Sequence, residues 1–479
     1  MVNGHIRFNY SPFTNKENLM ASYREKAVAY LKGEMCDDER TEFEEELTRS
    51  EELREALENS RELLELLAAA GEEAIVAQVN QCIQEAIKSR ASDIHFVGQR
   101  DHVAVSFRID GHLQEWTHLA KEMQQSIVDR WKVMAEMNVA ERQLPQDGRV
   151  PVRYQGVNYD LRVNVAPTVL GERVTARLLD QNNVLLGLDR LGLNELQRAS
   201  IQRILDSQRG YVIVGGFTGN GKTTLLYSML MAINGPSRPQ RNILTIEDPV
   251  EYLLPGVSQS AVNRQAGMRF ANGLRTILRS DPDVVYVSEL RDLESAELGV
   301  ELALTGGLVL TQLHVSSALM TIQRLREMGI ENFLIAYTLQ GAIGVRLVRR
   351  VCRECVEEYM PTSEDLRKAG LSPVEDGPFR RGKGCAACRN TGYLGRIGLF
   401  EVVEVNEAVR KEIMERAPLD TIWYQTFGLN GGSLWDDARD KVRQGLTTVE
   451  EVAWALSDYP HPRNSVDAGL RARGVLELN

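Results

Sequence analysis

The sequence predicts an α/β core, preceded by a smaller α/β domain and a helical module, with a cysteine knuckle inserted near the carboxyl end. Three observations carry this reading. A glycine-rich loop lies between an apolar run and a helix-forming run. Three further short apolar runs each end in polar residues. Two Cys-x-x-Cys pairs follow. Near-continuous apolar runs suit strands buried on both faces of a parallel sheet.

The loop is Gly216-Phe217-Thr218-Gly219-Asn220-Gly221-Lys222-Thr223, followed by Thr224. Tyr211-Val212-Ile213-Val214 precedes it, and Thr224-Leu225-Leu226-Tyr227-Ser228-Met229-Leu230 follows, the strand–loop–helix context of a phosphate-binding loop. Glycines let the backbone turn tightly and aim several N–H groups at one anion. The helix start adds the positive end of a dipole. Lys222 is expected to reach the β/γ-phosphates of ATP, and Thr223 to place its hydroxyl on Mg²⁺.

The other strands place further chemistry at the same edge. Asn242-Ile243-Leu244-Thr245-Ile246 leads into Glu247, Val284-Val285-Tyr286-Val287 into Ser288-Glu289, and Leu308-Val309-Leu310-Thr311-Gln312-Leu313 into His314. Ligands of open α/β sheets bind beyond the carboxyl ends of the strands. Lys222, Glu247, Glu289 and His314 are therefore expected on one rim. A carboxylate there can orient an attacking water or hold Mg²⁺ through water, and a histidine can contact the terminal phosphate.

Cys352, Cys355, Cys385 and Cys388 form two Cys-x₂-Cys pairs separated by 29 residues. Four thiolates at these spacings predict a closed tetrahedral Zn²⁺ site. Cys36 and Cys82 stand apart. No signal peptide is visible, so a reducing compartment is expected and disulfides are disfavoured.

The chain has 479 residues and a formal net charge of −11, which argues against nucleic acid as a partner. It has no apolar run long enough to span a bilayer. Much of the charge is local. Asp37 to Glu65 holds 13 acids against four arginines, with Phe43, Leu47, Leu53, Leu57, Leu63, Leu64 and Leu67 at helical spacing. The expected organisation is an acidic helical adaptor over 1–72 and an α/β domain over 73–182, with a helix over Ile75–Lys88 and strands such as Val103–Ile109 and Tyr159–Val165. A linker from Gln181 to Leu188 leads into the core, which spans 183–345. The knuckle occupies 346–400, a helical region 401–459, and a disordered tail 460–479.

The motifs also resemble the ATPases of type II secretion and type IV pilus assembly. The similar stretches include Ala91-Ser92-Asp93-Ile94-His95, Phe107-Arg108-Ile109-Asp110-Gly111, Leu144-Pro145-Gln146-Asp147-Gly148-Arg149 and Asp160-Leu161-Arg162-Val163. Thr245-Ile246-Glu247-Asp248-Pro249-Val250-Glu251-Tyr252, Leu278-Arg279-Ser280-Asp281-Pro282-Asp283 and Arg346-Leu347-Val348-Arg349-Arg350 continue the series. The resemblance implies a RecA-like core and a homohexamer. It implies a cytoplasmic protein peripheral to the bacterial inner membrane, moving a platform protein there. A membrane-associated or cytoplasmic assembly protein would dock the acidic module. Catalytic roles fall on Glu289, Glu247, His314, Arg149 and Arg162. Extension and secretion members carry the cysteine knuckle and retraction members lack it, so the knuckle favours export or assembly.

Several positions depart from the family pattern. Phe217 stands where proline is usual, Asn220 where serine is usual, and Ser288 where glycine is common. Thr305-Gly306-Gly307 replaces Thr-Gly-His, and Val315-Ser316-Ser317 replaces Thr-Asn-Asp after His314. Retention of Lys222, Thr223, Glu247, Glu289 and His314 favours an active motor. The alternative is a nucleotide-gated scaffold of the same machine with low hydrolysis.

Overall fold

The computed structural model describes residues 26–27, 29–31, 35–180, 186–236, 238–371, 378–428 and 431–459. Most of the expected linker, the expected tail, the start of the acidic module and residues 372–377 of the knuckle lie outside these. Two compact units form. One holds most of the chain up to Leu178; the other holds Leu179 onward together with Arg108–His112 and Pro151–Asp160.

In the first unit, helix Asp37–Arg49 is followed by helix Glu51–Lys88. Ser50 separates them and caps the second, its Oγ accepting from Leu53 N–H at 3.1 Å. Phe43 and Leu53, one from each helix, share a small core with Ala27. The second helix is longer than the expected Ile75–Lys88 and runs through Gly71, so the module boundary expected at 72 falls inside it. A single interior glycine costs only about 1 kcal/mol, and Ala68-Ala69-Ala70 beside it are the best helix formers. Its later turns bury Ile75, Val79, Cys82, Ile83 and Ala86, at spacings of three and four.

Six strands follow: β1 (Ala91–Gly98), β2 (His102–Ile109), β3 (His112–Ala120), β4 (Gln146–Tyr154), β5 (Val157–Ala166) and β6 (Arg173–Asp180). They form one sheet in the order β3-β2-β1-β6-β5-β4, with β1 antiparallel to β6. Ile94, Phe96, Val105, Phe107 and Trp131 are buried in this unit, Trp131 coming from helix Gln124–Met134.

The second unit is built on β7 (Gly210–Gly215), β8 (Ile243–Glu247), β9 (Ser258–Ala261), β10 (Val284–Val287), β11 (Leu308–Leu313) and β12 (Leu339–Val351). β13 (Val356–Tyr359) and β14 (Phe379–Gly382) form a separate antiparallel pair, and β15 (Tyr393–Glu404) returns to the main sheet. The order there is β15-β12-β7-β11-β10-β8-β9, parallel except for β15. Every residue of β7 and β10 is buried. Alternation splits them between two cores. Tyr211, Ile213, Val285 and Val287 face one layer of helices, while Val212, Val214, Val284 and Tyr286 face the other. This is the physical reason that these strands read as continuous apolar runs. Among the described residues, no helix is long and apolar enough to cross a membrane.

Candidate nucleotide site

The parallel register aligns the carboxyl ends. Leu313 pairs with Gly215, Thr311 with Val287, and Val287 with Ile246. Gly216, His314, Ser288 and Glu247 therefore emerge at one edge of the sheet, as the sequence implied. The loop between β7 and helix Lys222–Ile233 needs its glycines individually. Gly219 and Gly221 have φ of 81° and 83°, in the left-handed region. A Cβ on Gly216 would lie 2.8 Å from the Val345 carbonyl oxygen.

Lys222 is 5 % exposed. Its Nζ donates to the Phe217 carbonyl at 3.0 Å and lies 3.3 Å from His314 Nδ1. His314 Nε2 is 3.4 Å from Glu289 Oε1, and Arg291 Nε donates to Glu289 Oε2 at 2.9 Å. Burial and the Lys222 cation lower the His314 pKa against the opposing pull of Glu289. In the neutral ring that follows, Nδ1 accepts from Lys222, which leaves the proton on Nε2 facing Glu289. The structure thus brings Lys222, His314 and Glu289 into one chain of contacts.

Glu247 differs. It is 1 % exposed, and its carboxylate accepts from the hydroxyls of Tyr227 and Thr245 and from Gln259 Nε2. It faces inward among these donors instead of lining the rim. Tyr286 is fully buried, and its ring packs edge-on against that of Tyr227, with 5.9 Å between centroids. Tyr227, Tyr286 and Gln259 were missed by sequence reasoning, because two are apolar-run residues and the third belongs to an exposed-looking segment. Ser288 has a clear use: its hydroxyl accepts the Asp248 N–H at 3.2 Å, tying the ends of β10 and β8 together. Gly307 sits at the opposite edge, accepting from Gly210 N–H. The length of β11, about 20 Å, separates it from His314. A histidine at 307 would therefore not meet His314 within this sheet.

Burial pushes the Lys222 ammonium down to about 8, with Glu289 opposing the shift and Arg346 adding to it. A polyphosphate favours the charged form, so binding above this value must take up a proton. ATP affinity is expected to fall above about pH 8, by up to about tenfold per pH unit. Calorimetry in buffers of different ionisation enthalpy should find uptake approaching one proton at pH 9 and little at pH 7. Equal affinity and no uptake at either pH would contradict this reading.

Arg149 and Arg162 are brought together in the first unit. They line a groove of about 560 Å³ with Asp93, Asp147, Thr175 and Arg177. Arg177 Nε pairs with Asp93 Oδ1 at 2.9 Å, and Asn164 holds Asp147 at 3.0 Å.

The four knuckle cysteines also converge. Cys352, Cys355 and Cys388 are buried, Cys385 is half-buried, and all four sulfurs lie within 4.8 Å of one another. Three separations are 3.7, 3.8 and 3.9 Å. Tetrahedral Zn–S bonds of about 2.3 Å require S···S separations of about 3.8 Å. The donor set and its spacing fit zinc. Burial raises the Cys352 and Cys355 thiols, whereas N–H donors from Cys385 and Gly392 lower that of Cys388.

A parallel sheet, a glycine loop opening onto a helix, and a lysine–histidine–glutamate chain at the strand ends define a phosphate-loop nucleoside triphosphatase. Residues 68–454 match the family model described as type II/IV secretion system protein. The type II secretion system protein E of Pseudomonas aeruginosa is 42% identical over 378 residues, covering 79% of this chain and 74% of that protein. The type II secretion system ATPase E of Vibrio cholerae is 40% identical over 388 residues, covering 81% and 76%. The crystal structure of the pilus retraction motor PilT with bound ADP aligns at TM-score 0.54 and 26% identity, covering 80% of this chain and 97% of that one. The ATPase DotB of Legionella pneumophila shares the fold at TM-score 0.59 and 21% identity, covering 80% and 96%. The chain belongs to the type II/IV secretion system protein family and is an ATP hydrolase of that family.

Proposed function

We propose that the chain works as a homohexameric motor. It hydrolyses ATP to move an inner-membrane platform, powering type IV pilus assembly or type II-like secretion from the cytoplasmic face of the membrane. The observation that carries this is the Lys222–His314–Glu289 chain at the sheet edge, together with relatives named as type II secretion ATPases.

Residues 216–224 cradle the phosphates, and Lys222 exchanges its Phe217 and His314 contacts for the β/γ-phosphates. Thr223 would hold Mg²⁺, which when bound neutralises charge on the phosphate oxygens. Glu289 orients the attacking water, and His314 faces the terminal phosphate. Glu247 acts from behind: it accepts from Tyr227, Thr245 and Gln259 and holds the residues behind the phosphate loop in place. Cys352, Cys355, Cys385 and Cys388 hold Zn²⁺ as a structural ion.

Arg149 and Arg162 act on the terminal phosphate in this proposal, since an always-charged forked side chain suits it. Arg149→Ala and Arg162→Ala are expected to lower turnover by about tenfold or more, the scale of a lost charge-assisted contact. Each should also blunt nucleotide-dependent compaction measured by small-angle scattering. Wild-type values for both readouts in both variants would exclude the role.

The acidic helices before Glu72 dock a basic partner at the membrane. Such docking should weaken with salt. Removing residues 1–70 is expected to preserve ATPase activity and to disperse a fluorescent fusion from the machine. Unchanged localisation of the truncated protein would refute the docking role.

A further inference from the structure

Two family departures in the phosphate loop, Phe217 and Asn220, are gripped by consecutive residues of β12. The Arg346 guanidinium lies 4.3 Å from the centre of the Phe217 ring. The Leu347 N–H donates to Asn220 Oδ1 at 3.2 Å. Arg346 is 3 % exposed, yet it does not use all its donors. Its Nη2 donates to the Ser316 carbonyl and to Asp458 Oδ2, both at 2.9 Å. Its buried Nε has no hydrogen-bond partner among the described residues. A guanidinium placed for hydrogen bonding alone would turn Nε to an acceptor. This one instead sits over an aromatic ring, a contact that strengthens when water is excluded.

The three contacts of Arg346 belong to separate pieces of chain. Phe217 is the second residue of the phosphate loop. Ser316 lies two residues after His314. Asp458 lies beyond helix Val449–Ala455. The last two pieces are pinned a second time, because buried Glu401 accepts from both Ala318 N–H and the Tyr459 hydroxyl. The ring at 217 and the amide at 220 thus have fitted partners on one strand.

We propose that Arg346 is a positioning residue for the nucleotide. Through Phe217 it fixes the phosphate loop, and through Ser316 it fixes the segment carrying His314. Asp458 is the counterion that holds it in place. Lysine and histidine then keep their register across the site. The proposal rests on residues 216–224 being the nucleotide site.

The test is a double-mutant cycle on the full-length protein, read as the dissociation constant of a fluorescent ATP analogue with Mg²⁺ and as melting temperature without nucleotide. Arg346→Lys keeps the charge but loses the planar face and the fork. It is expected to weaken binding about tenfold, and so is Phe217→Leu. The double variant should be no weaker than about tenfold, because both changes break one contact. Phe217→Pro supplies a fixed φ of its own. On that background Arg346→Lys should change affinity by less than about threefold, the scatter expected of uncoupled sites.

Affinity within about twofold of wild type for Arg346→Lys, with a lowered melting temperature, would reduce Arg346 to a structural tie. Independent effects that multiply to about a hundredfold would also overturn the proposal. Phe217 is 43% exposed, so Phe217→Leu remains informative even if an Arg346 variant fails to fold, and unchanged affinity in it rejects the proposal. If the wild-type protein binds no analogue at all, the nucleotide site itself is misassigned and the proposal falls with it.

Discussion

Glu289→Gln is expected to bind ATP as well as the wild type and to lose turnover by about a hundredfold or more, the lower end of what a positioned acid–base group contributes. The change keeps the shape of the side chain and removes its charge. The phosphate cradle is untouched, because Lys222 is held by Phe217 and His314 and not directly by Glu289. What is lost is the anion that faces His314 Nε2 and receives Arg291. An amide there neither orients a water as an acceptor-only group nor balances Arg291. Phosphate release and equilibrium binding of a fluorescent ATP analogue should therefore separate, with kcat falling while affinity holds. Turnover within about threefold of wild type would remove Glu289 from the chemistry.

The second large effect is expected at the knuckle. The purified protein should carry one zinc per chain. Cys385→Ser should bring zinc content close to zero and open residues 353–397 to proteolysis. A structural Zn²⁺ is worth roughly 10–16 kcal/mol in isolated zinc-finger peptides, because the unfolded chain has no site. The effect here should be smaller and local. The β13–β14 pair adjoins an apolar cluster of Leu366, Phe379, Leu399 and Trp435 that does not need the metal. ATP analogue binding should survive, since the phosphate loop lies on a different strand connection. Metal analysis that finds no zinc in a native preparation, or a Cys385→Ser protein with wild-type protease resistance, would contradict the assignment.

The sequence was most legible where one residue type has one use. The loop glycines, His314 and Glu289 after their strands, and the paired cysteines fall where their chemistry places them. It was least legible where the decisive partner is distant in sequence. Glu247 at the end of an apolar strand reads as a rim carboxylate, and only the fold shows Tyr227 and Gln259 closing on it. Phe217 reads as an oddity in a glycine loop until Arg346 is found against its ring, 129 positions later in the chain. Gly71 reads as a boundary because glycine weakens helices, but its cost is small beside the packing of Ile75, Val79 and Ile83 that anchors the same helix. Gly307 marks the loss of a family histidine, and the β11 strand that follows it separates that position from His314.

Nucleotide-driven motor action at the Lys222–His314–Glu289 edge is tested most directly by steady-state phosphate release from the size-separated protein, with Glu289→Gln measured alongside at equal nucleotide occupancy. The motor reading predicts sustained wild-type turnover about a hundredfold or more above the variant. A protein that binds ATP fully but releases phosphate no faster than Glu289→Gln would contradict it and leave a nucleotide-gated scaffold in its place.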